Sequence, residues 1–460
     1  MYDVLIIGAG IIGTTLAREL SKYNIKTAII EKSFDVSNGT TKANSAIVHA
    51  GYDPKPGTLM AKFNREGNLL FERLCRDLEV PFKRIGSLVL AFNKDDSLIL
   101  DSLIEKGNKN GVKGLVILNS YEVKSVEKNV NNNVVNALFA ESAAVVSPYE
   151  LAIACIENAI VNGVELFLNN EVKSIFIEDE IFNVYTEKSL FKSKLLINAA
   201  GIYSDKINNI LSVSKFKIIP KKGQYILLSK GAGDIVSHVV FQCPSNIGKG
   251  ILVTPTVYGN TLIGPDSKET TQKDDLSIDG NDIEYIKKES LKSINNIPFG
   301  KTIKTFAGLR AEADTGDFIV GESPDVKNFI NIAGMKSPGL TAAPAIAEHV
   351  ADMICSRLTN VKLKENFVSF RESPNLKFMN DERAKFLLKS NLNYRERVCL
   401  CEDISKGEIV DALSRVPLAT DLDGVKRRIR AGMGGCQGRR CSVYLNGLIS
   451  EALAKKSNSI

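Results

Sequence analysis

The opening residues switch between the apolar period of a strand and that of a helix. An apolar run over Asp3–Ile7 predicts a first strand, and Lys26–Ile30 predicts a second. Between them, the apolar residues Ile12, Leu16 and Leu20 recur at near-helical spacing and predict a helix. The order of strand, glycine turn, helix and strand indicates a βαβ unit at the start of the chain.

The same alternation of strands and helices continues to about residue 200 and predicts an α/β fold with a parallel or mixed sheet. Between about residues 215 and 305, segments such as Gln224–Leu228 alternate in a way typical of an antiparallel sheet, which we expect to cover a substrate. Strand and helix patterns return over 303–355. Residues 366–397 are polar without a clear period and predict a linker or wrapping arm.

The composition is that of an ordinary globular protein and excludes several classes. Hydrophobic residues make up 44% and charged residues 24% of the 460 positions, which argues against long disorder. The net charge of +6 is small for this length, and without a basic stripe it does not predict nucleic-acid binding. Met1 leads directly into the first strand, and the apolar runs are too short to span a membrane. We expect a cytoplasmic protein, with peripheral docking to a membrane complex as an open alternative.

The turn after the first strand carries the glycine spacing of a dinucleotide site. Gly8 permits the tight turn, Gly10 lets the backbone approach a pyrophosphate, and Gly13 lets the helix pack against the strand. The helix N-terminus then faces the phosphate charge. Glu31 follows 18 positions after Gly13, at the end of the second strand, where its carboxylate can accept hydrogen bonds from the ribose hydroxyls.

Three later segments distinguish FAD from NAD. Asn38–Gly51, rich in small and hydroxyl side chains, resembles the second flavin-contacting segment of the superfamily that contains glucose oxidase and D-amino-acid oxidase. Leu195–Gly201 resembles the strand-and-glycine segment near the adenosine in that superfamily. Gly334–Pro344 resembles its C-terminal flavin motif, in which a helix N-terminus points at the isoalloxazine. The resemblance covers residues 1–355 and implies a flavoprotein that holds FAD noncovalently.

The resemblance also implies which residues contact FAD and how this part of the chain is divided. Besides the glycine turn and Glu31, the implied contacts are Lys32, Thr41, Asn44, Ser45, Val172, Ala200, Gly201, Gly334, Pro338, Gly339, Leu340 and Thr341. The implied FAD-dependent oxidoreductase domain covers 1–365. Its FAD-binding parts are expected at about 1–80, 145–215 and 305–360, and its substrate-covering sheet at about 81–144 and 216–304.

Four of the eight cysteines crowd into the C-terminal segment, namely Cys399, Cys401, Cys436 and Cys441. Four thiolates hold either a [2Fe–2S] cluster or a structural zinc ion, and this spacing differs from the common CxxC pairs of zinc sites. A capping box at Ser405–Glu408 and the segment Asp421–Arg430 predict two helices between the cysteine pairs. Five arginines, which either offset the thiolate charge or form a basic docking surface, lie nearby: Arg427, Arg428, Arg430, Arg439 and Arg440.

The segments around these cysteines resemble a known iron–sulfur module. Val398–Glu402 and Gly432–Gly438 resemble the ferredoxin-like module named after bacterioferritin-associated ferredoxin, as it occurs in the catalytic subunits of anaerobic glycerol-3-phosphate dehydrogenases. The resemblance implies a [2Fe–2S]-binding domain over 398–460, behind the 366–397 linker. The expected fold class is an α/β, Rossmann-like FAD-binding domain with an inserted antiparallel-sheet substrate domain and a small helical C-terminal iron–sulfur domain.

Oxidation of an alcohol needs a hydride acceptor and a group that takes the hydroxyl proton. His49 lies in a flavin-contacting segment and is the favoured catalytic histidine, whereas His349 sits in an apolar helical pattern typical of packing. For His238, the sequence allows two interpretations, a loop residue or a substrate contact. Lys336, in the flavin motif, is expected to stabilise reduced flavin or to bind substrate. Arg310 ends a predicted strand and resembles the anion-binding arginine of the family, whose fork suits phosphate or carboxylate.

These observations predict an FAD-dependent dehydrogenase of a small anionic hydroxy compound, with sn-glycerol 3-phosphate as first choice. An L-2-hydroxy acid such as 2-hydroxyglutarate is the alternative, since Asn44–Gly57 resembles L-2-hydroxyglutarate oxidases as closely, and amino-acid oxidation comes third. Electrons are expected to leave through the cluster to a partner flavoprotein or a quinone-linked acceptor. Outside enzymes, the rival is an electron-transfer or redox-sensing subunit, against which His49 and Arg310 argue.

Overall fold

The computed structural model describes residues 1–244 and 250–457, which two large sheets organise. Its strands are β1 (Tyr2–Ile7), β2 (Thr27–Ile30), β3 (Ile47–Val48), β4 (Phe82–Arg84), β5 (Ser87–Ala91), β6 (Leu115–Asn119), β7 (Asn136–Ala140), β8 (Ala144–Val146), β9 (Glu165–Phe167), β10 (Val172–Glu178), β11 (Ile181–Thr186), β12 (Leu190–Asn198), β13 (Ile218–Leu228), β14 (Val239–Gln242), β15 (Leu252–Pro255), β16 (Thr261–Gly264), β17 (Lys268–Glu269), β18 (Thr302–Ala313), β19 (Ile319–Glu322), β20 (Phe329–Ala333), β21 (Arg397–Cys399) and β22 (Ile404–Ser405). Its α-helices are α1 (Ile11–Leu20), α2 (Leu59–Asp77), α3 (Lys94–Lys109), α4 (Ser120–Val126), α5 (Pro148–Val161), α6 (Ser204–Leu211), α7 (Gly280–Ser290), α8 (Gly339–Cys355), α9 (Asp381–Ser390), α10 (Lys406–Ser414), α11 (Leu422–Ile429) and α12 (Ser442–Ser457).

The first sheet grows from the predicted βαβ unit. β1 pairs in parallel with β2 and β12, β2 with β9, and β12 with β20. Antiparallel pairs are added where β11 joins β10 and β12 and where β19 joins β20. The apolar stripes of α1, α5 and α8 pack on one face of this sheet. The predicted α/β class with a mixed sheet is therefore confirmed.

The second sheet covers one side of a large cavity and is mostly antiparallel, with β14 and β5 as a parallel pair. Its longest pairing joins β13 to β18 from Ile218 opposite Ala313 to Leu228 opposite Thr302. The sequence predicts that residues from 305 onward belong to an FAD-binding part, and the structure places β18 in the second sheet, paired with β13. The alternation of apolar and polar residues along a strand identifies its buried face but not its partner strand. The sequence therefore does not show which of the two sheets β18 joins.

The polar segment over 366–397 wraps around the first domain and contains a helix that its aperiodic pattern did not predict. The side-chain amide of Asn158 on α5 donates to the carbonyls of Val368 (3.0 Å) and Phe370 (3.1 Å). Arg371 pairs with the buried Glu157 at 2.6 Å. The helix α9 then begins behind Asn380, whose side chain accepts two backbone N–H groups.

The C-terminal module has a small apolar core of its own, formed between α10, α11 and α12. The predicted capping box is present, because Ser405 and Glu408 exchange hydrogen bonds at the start of α10. The second predicted helix is α11, and Asp421 caps it by accepting the N–H of Gly424. Four cysteines lie at the edge of this core.

A buried carboxylate joins this module to the first domain. Asp35, 1% exposed, accepts hydrogen bonds from Arg427 (2.7 Å) and from both terminal nitrogens of Arg428 (2.9 Å each). Burial works to raise the pKa of Asp35, but the two guanidinium groups outweigh it and lower that pKa. These two arginines thus neutralise a carboxylate of the neighbouring domain.

A second anchor lies at Arg430, the residue that ends α11. Its Nε donates to the buried Glu402 at 2.9 Å, and its guanidinium lies 4.0 Å from the centroid of the Tyr258 ring. Nη1 donates to the hydroxyl of Tyr149 (3.2 Å) and Nη2 to the side-chain carbonyl of Asn260 (3.2 Å). All three guanidinium nitrogens of Arg430 therefore donate in charge-assisted hydrogen bonds that hold the module.

Across residues 1–244 and 250–457, no helix combines the length and the apolar character needed to cross a membrane.

Replacing Asp35 with Asn should loosen the module, because two buried guanidinium groups lose their shared counter-charge. Breaking a buried ion pair costs about 3–5 kcal/mol, so the free energy of opening at α11 should fall by that order. Amide hydrogen exchange along α11 measures this directly. The control is Asp423→Asn, which removes an exposed pair with Lys426 (Asp423 is 64% exposed) and should cost about 1 kcal/mol or less. Equal protection in the two variants would show that Asp35 is not the anchor.

Candidate functional site

An open cavity of about 1670 Å³ lies between the two sheets. Ordinary ligand pockets measure about 300–1,000 Å³, so this one has room for a dinucleotide together with a small substrate. Its walls come from the glycine turn, the segment after β2, the inner faces of β13 and β18, and the start of α8. The residues predicted for cofactor and substrate converge on this space, with three exceptions described below.

The glycine turn leaves no room for side chains. Gly8 has φ +107°, and a Cβ there would lie 2.5 Å from the carbonyl oxygen of Ala199. A Cβ on Gly13 would lie 1.9 Å from the carbonyl oxygen of Gly8, so Gly13 serves helix packing and does not border the cavity. Gly10 borders the cavity and precedes the first turn of α1. This places a helix N-terminus at the cavity wall, the arrangement that suits a phosphate.

Glu31 stands at the end of β2 beside this turn. Its Oε2 accepts the N–H of Ala9 (2.8 Å) and its Oε1 accepts the N–H of Ser33 (2.9 Å), and the side chain borders the cavity. Lys32 also borders the cavity, with its Nζ 3.6 Å from the centroid of the Tyr203 ring. The carboxylate therefore lies where a ribose bound above the turn would meet it.

The segment after Glu31 is shaped by its own hydroxyl and amide side chains. Thr41 Oγ1 accepts the N–H of Ile11 at 3.0 Å and so connects this segment to the start of α1. The Asn44 amide donates to the carbonyl of Thr41 (2.9 Å) and accepts the N–H of Ala46 (2.8 Å). Ser45 Oγ lies 3.4 Å from the hydroxyl of Tyr225. Thr41, Asn44 and Ser45 all line the cavity.

Two further parts of the first sheet complete this end of the cavity. Val172 borders it at the start of β10. Ala200 and Gly201 border it directly after β12, where Gly201 adopts φ +57°. Ala200 and Gly201 thus lie at the carboxyl end of β12, which pairs in parallel with β1, and α/β sheets bind ligands at such strand ends.

The motif at the start of α8 is only partly exposed to the cavity. Pro338, Gly339 and Leu340 line it, whereas Gly334 and Thr341 do not. Gly334 has φ +73° and packs against Ala313, which a Cβ would approach to 2.8 Å. The prediction placed all five against FAD. The structure gives Gly334 and Thr341 supporting positions behind the cavity wall.

His49 is held at the cavity by groups on α8. Thr341 is buried, and its hydroxyl accepts the N–H of His49 at 2.9 Å. The imidazole Nε2 lies 3.1 Å from Ser337 Oγ, and the ring stacks on Phe241 at a centroid distance of 6.0 Å. The backbone and ring of His49 are therefore both fixed, and one ring nitrogen is within hydrogen-bonding distance of a hydroxyl.

The other two histidines lie outside the cavity lining. His238 Nδ1 lies 3.2 Å from the buried Glu127 carboxylate, which also accepts the N–H of His238. His349 packs its ring on Phe63 at 5.3 Å, as its apolar helical pattern predicted. Of the two alternatives left open for His238, the structure favours a structural position over a substrate contact.

Arg310 crosses β13 to reach the cavity. A Cβ on Gly223 would lie 2.6 Å from Arg310 Nη2, so only glycine lets the side chain pass. Nη2 donates to the carbonyl of Asp266 (2.5 Å) and Nη1 to Ser267 Oγ (3.2 Å). Within the part of the chain that the structure describes, Arg310 has no carboxylate partner. Its remaining donors and its charge are thus available to an anion.

Lys336 is tied into a charged cluster. Its Nζ lies 2.5 Å from Glu312, and Lys221 contacts the other oxygen of that carboxylate at 3.0 Å. Burial works to raise the pKa of Glu312, but hydrogen bonds from the two lysines outweigh it and lower that pKa. Lys221 also lies 3.5 Å from the exposed Glu269, so the two lysines face two carboxylates and the charges of the cluster balance.

Tyr225 is a cavity residue that the sequence did not predict. Its ring stacks on Phe306 at 4.8 Å, and burial raises the pKa of its hydroxyl, which therefore keeps its proton. The available signal was the alternating segment Gln224–Leu228. Alternation does not tell which face of a strand will meet a cavity.

The four predicted metal-ligating cysteines come together at the edge of the C-terminal module, in two hydrogen-bonded pairs. Cys401 lies beside Cys436, and Cys399 beside Cys441. The N–H of Gly432 donates to Cys399 Sγ at 3.4 Å. Backbone N–H groups, first of all that of Arg440, lower the pKa of Cys436.

The donor set suits a binuclear cluster better than a single ion. The four thiols lie as two pairs, Cys401 with Cys436 and Cys399 with Cys441, which matches the two protein ligands that each iron of a [2Fe–2S] cluster takes. A [2Fe–2S] cluster spreads four thiolates over two irons, whereas zinc needs its ligands around one point. Gly434 also leaves room at the site, because a Cβ there would lie 2.3 Å from the Cβ of Cys401. The residues present therefore fit a [2Fe–2S] cluster.

Two protein families match the chain in the order that the structure displays. The family described as "FAD dependent oxidoreductase" matches residues 3–353, and the "BFD-like [2Fe-2S] binding domain" matches residues 397–451. These matches assign FAD and a [2Fe–2S] cluster as the cofactors.

Individual proteins show the same relationship. The chain is 47% identical over 461 aligned positions to a glycerol 3-phosphate dehydrogenase of Caloramator mitchellensis, covering 100% of this chain and 96% of that protein. An FAD-bound, dithionite-reduced L-alpha-glycerophosphate oxidase from Mycoplasma pneumoniae superposes with a TM-score of 0.76 at 31% identity, over 80% of this chain and 98% of that one. An L-2-hydroxyglutarate dehydrogenase of Arabidopsis thaliana is 25% identical over 76% of this chain and 83% of its own length.

Replacing Glu31 with Ala should weaken FAD binding, since the ribose loses its charged acceptor. Losing a charge-assisted hydrogen bond costs about 1.5–3 kcal/mol, or roughly one to two decades in Kd. Quenching of flavin fluorescence during reconstitution measures the change. Glu171→Ala is the control, because it removes another cavity-lining carboxylate whose partner is Lys173 (2.6 Å), and it should change Kd less than about twofold. Unchanged affinity in the Glu31 variant would remove Glu31 from the FAD site.

Proposed function

The chain belongs to the family of FAD-dependent oxidoreductases, and we propose that it oxidises sn-glycerol 3-phosphate to dihydroxyacetone phosphate. The observation that carries the proposal is that similarity to a glycerol 3-phosphate dehydrogenase runs over the whole chain, through both cofactor modules. The predicted L-2-hydroxy acid alternative is supported by more distant relatives, which match a smaller part of this chain.

The cavity supports an anionic substrate. Arg310 provides a planar fork whose charge is uncompensated among the described residues, and a phosphate dianion matches such a fork with two parallel hydrogen bonds. Lys336 is a second cation at the cavity wall, where it shares the Glu312 carboxylate with Lys221. We assign Arg310 as the phosphate-binding residue and Lys336 as its electrostatic support.

His49 is the residue that we assign to the hydroxyl proton. Of the three histidines, all of which the structure describes, His49 alone lines the cavity. Imidazole takes up a proton near neutral pH, as a general base for alcohol oxidation must. Ser337 and Phe241 hold the ring in one orientation, so Nε2 faces the side of the cavity formed by the start of α8.

The cofactors supply the redox chemistry. FAD, when bound, accepts the hydride from the carbinol carbon, and the [2Fe–2S] cluster carries single electrons. For FAD, the chain contributes the glycine turn, Glu31 and the walls around Ser45 and Gly339. For the cluster, it contributes Cys399, Cys401, Cys436 and Cys441. We further propose that the enzyme works in the cytoplasm or at the inner face of its membrane and passes electrons to a partner flavoprotein or quinone-linked complex.

The proposal is tested by anaerobic titration of the FAD-loaded protein with sn-glycerol 3-phosphate, L-2-hydroxyglutarate and amino acids. Bleaching of the flavin absorbance by sn-glycerol 3-phosphate alone, at one equivalent per flavin, is the expected result. Bleaching by L-2-hydroxyglutarate in preference would replace the proposed substrate with the hydroxy acid. A flavin that no member of the panel reduces would favour the electron-transfer or redox-sensing role.

Replacing Arg310 with Lys should impair use of sn-glycerol 3-phosphate, because a point charge replaces a two-pronged donor. The loss of about 1.5–3 kcal/mol corresponds to roughly one to two decades in kcat/KM. Lys304→Arg, at an exposed position on the same strand, is the matched control and should leave steady-state kinetics unchanged. Unaltered kcat/KM in the Arg310 variant would mean that the anion binds elsewhere.

A further inference from the structure

The five arginines near the cysteines divide into two groups that the sequence does not distinguish. Arg427 and Arg428 are buried against Asp35, and Arg430 is buried against Glu402. The remaining two, Arg439 and Arg440, are exposed, and neither forms an ion pair among the residues that the structure describes. The first group joins the domains, so only the second is available to a partner.

The four cysteines, like the five arginines, divide into a buried group and an exposed group. Cys399 and Cys441 are each 2% exposed and belong to the core of the module. Cys401 and Cys436 are partly exposed, and the backbone N–H of Arg440 donates to Cys436. One thiol pair therefore faces the protein interior and the other faces solvent, next to the two unpaired arginines.

Two apolar residues that are close in sequence to the cysteines and these arginines are exposed. Leu400, between two of the cysteines, is 67% exposed, and Val443, at the start of α12, is 85% exposed. A small apolar centre with charged neighbours is the usual composition of a transient protein interface.

The acidic side chains nearby are already matched to basic ones. Asp403 pairs with Arg397 at 3.0 Å, and Asp423 pairs with Lys426 at 3.0 Å. Glu396 pairs with Lys406 at 3.4 Å. The surplus charge on this side of the module is therefore that of Arg439 and Arg440, and it is positive.

We propose that Leu400, Arg439, Arg440 and Val443 form the docking face for an acidic one-electron carrier protein, an inference that rests on the proposed function. Each sn-glycerol 3-phosphate oxidised yields two electrons and two protons. Two carrier molecules each take one electron, and the protons pass to solvent. The arginines attract the acidic carrier, and the apolar pair lets it approach the exposed Cys401 and Cys436. A protein is favoured over a lipid surface because the face is centred on thiols positioned for electron transfer, which a lipid headgroup cannot accept.

The test uses one haem protein in two charge states: native cytochrome c, which is basic, and cytochrome c with succinylated lysines, which is acidic. The holoenzyme carrying both cofactors should bind and reduce the succinylated form faster, and raising the ionic strength from about 10 to 150 mM should slow that reaction. The native form should be reduced more slowly, and raising the ionic strength should not lower its rate of reduction. Indifference of both probes to salt, or preference for the native form, would overturn the proposal without requiring any variant to fold.

Charge reversal then locates the face. R439E/R440E should weaken equilibrium binding of succinylated cytochrome c to the oxidised holoenzyme by about tenfold at low salt, measured by calorimetry. The control K385E/K389E changes two exposed lysines on α9 and alters the net charge equally, and it should change binding less than about twofold. Equal losses in both variants would mean that net charge alone acts. Binding to anionic phospholipid vesicles that R439E/R440E abolishes, with no effect on the carrier, would assign the face to a membrane.

Two readouts separate this proposal from the proposed function. Flavin bleaching by sn-glycerol 3-phosphate and the electron paramagnetic resonance signal of the reduced cluster should be the same in R439E/R440E as in the wild type. If sn-glycerol 3-phosphate does not reduce the protein at all, holoenzyme reduced with dithionite and freed of excess reagent still reports on docking. If R439E/R440E loses the cluster signal, R439Q/R440Q is used in its place. This variant should weaken binding of succinylated cytochrome c to a smaller extent. An unchanged Kd would contradict the proposal.

Discussion

A buried carboxylate, Asp35, joins the two cofactor modules. It lies in the segment between Glu31 and Thr41, whose Ser37 N–H donates to the carbonyl of Ala9 in the glycine turn (2.9 Å). Burying an ion costs several kcal/mol unless its hydrogen bonds are complete, and here two guanidinium groups complete them. The loop that presents Glu31 and Thr41 to the cavity is therefore anchored from behind by the iron–sulfur module.

The junction also contains a second buried acid, Glu150, which forms no ion pair with any residue in the described ranges 1–244 and 250–457. Burial raises the pKa of Glu150 to about 7, and its one hydrogen-bonded aromatic partner is Tyr258, the ring beneath Arg430. Because the folded protein holds this proton more tightly than the unfolded chain, the contribution of Glu150 to stability falls as pH rises from about 4.5 to about 7. Asp35 behaves in the opposite sense, because its pKa is lowered in the folded protein. Its contribution to stability is present at neutral pH and is lost only when acid protonates the carboxylate. The junction is thus most stable at a pH above the range in which Asp35 is protonated and below the pH of about 7 at which Glu150 ionises.

Features carried by local sequence were predictable, and those made by tertiary contact were not. The turn from Gly8 to Gly13 and the capping box at Ser405 are fixed within a few residues, so their patterns were sufficient. Tyr225 reaches the cavity only because β13 pairs with β18, and α9 lies in a segment whose polar pattern has no period. The pairing of Asp35 with Arg428 spans 393 positions, and nothing in either local segment indicates the other.

One rule of electrostatics accounts for the different roles of arginines that look alike in the sequence. A buried guanidinium must have a counter-ion, and Arg427, Arg428 and Arg430 have one, which makes them part of the structure. An exposed guanidinium is solvated and needs no counter-ion within the protein. Arg439 and Arg440 are therefore available to bind a negatively charged partner. Arg310 is the intermediate case, because it is partly enclosed. It donates hydrogen bonds to a backbone carbonyl and to a hydroxyl, but no carboxylate among the described residues balances its charge. A partly enclosed cation without a counter-ion is destabilised, so the phosphate that we propose at Arg310 would offset a charge that the pairing of β13 with β18 leaves uncompensated.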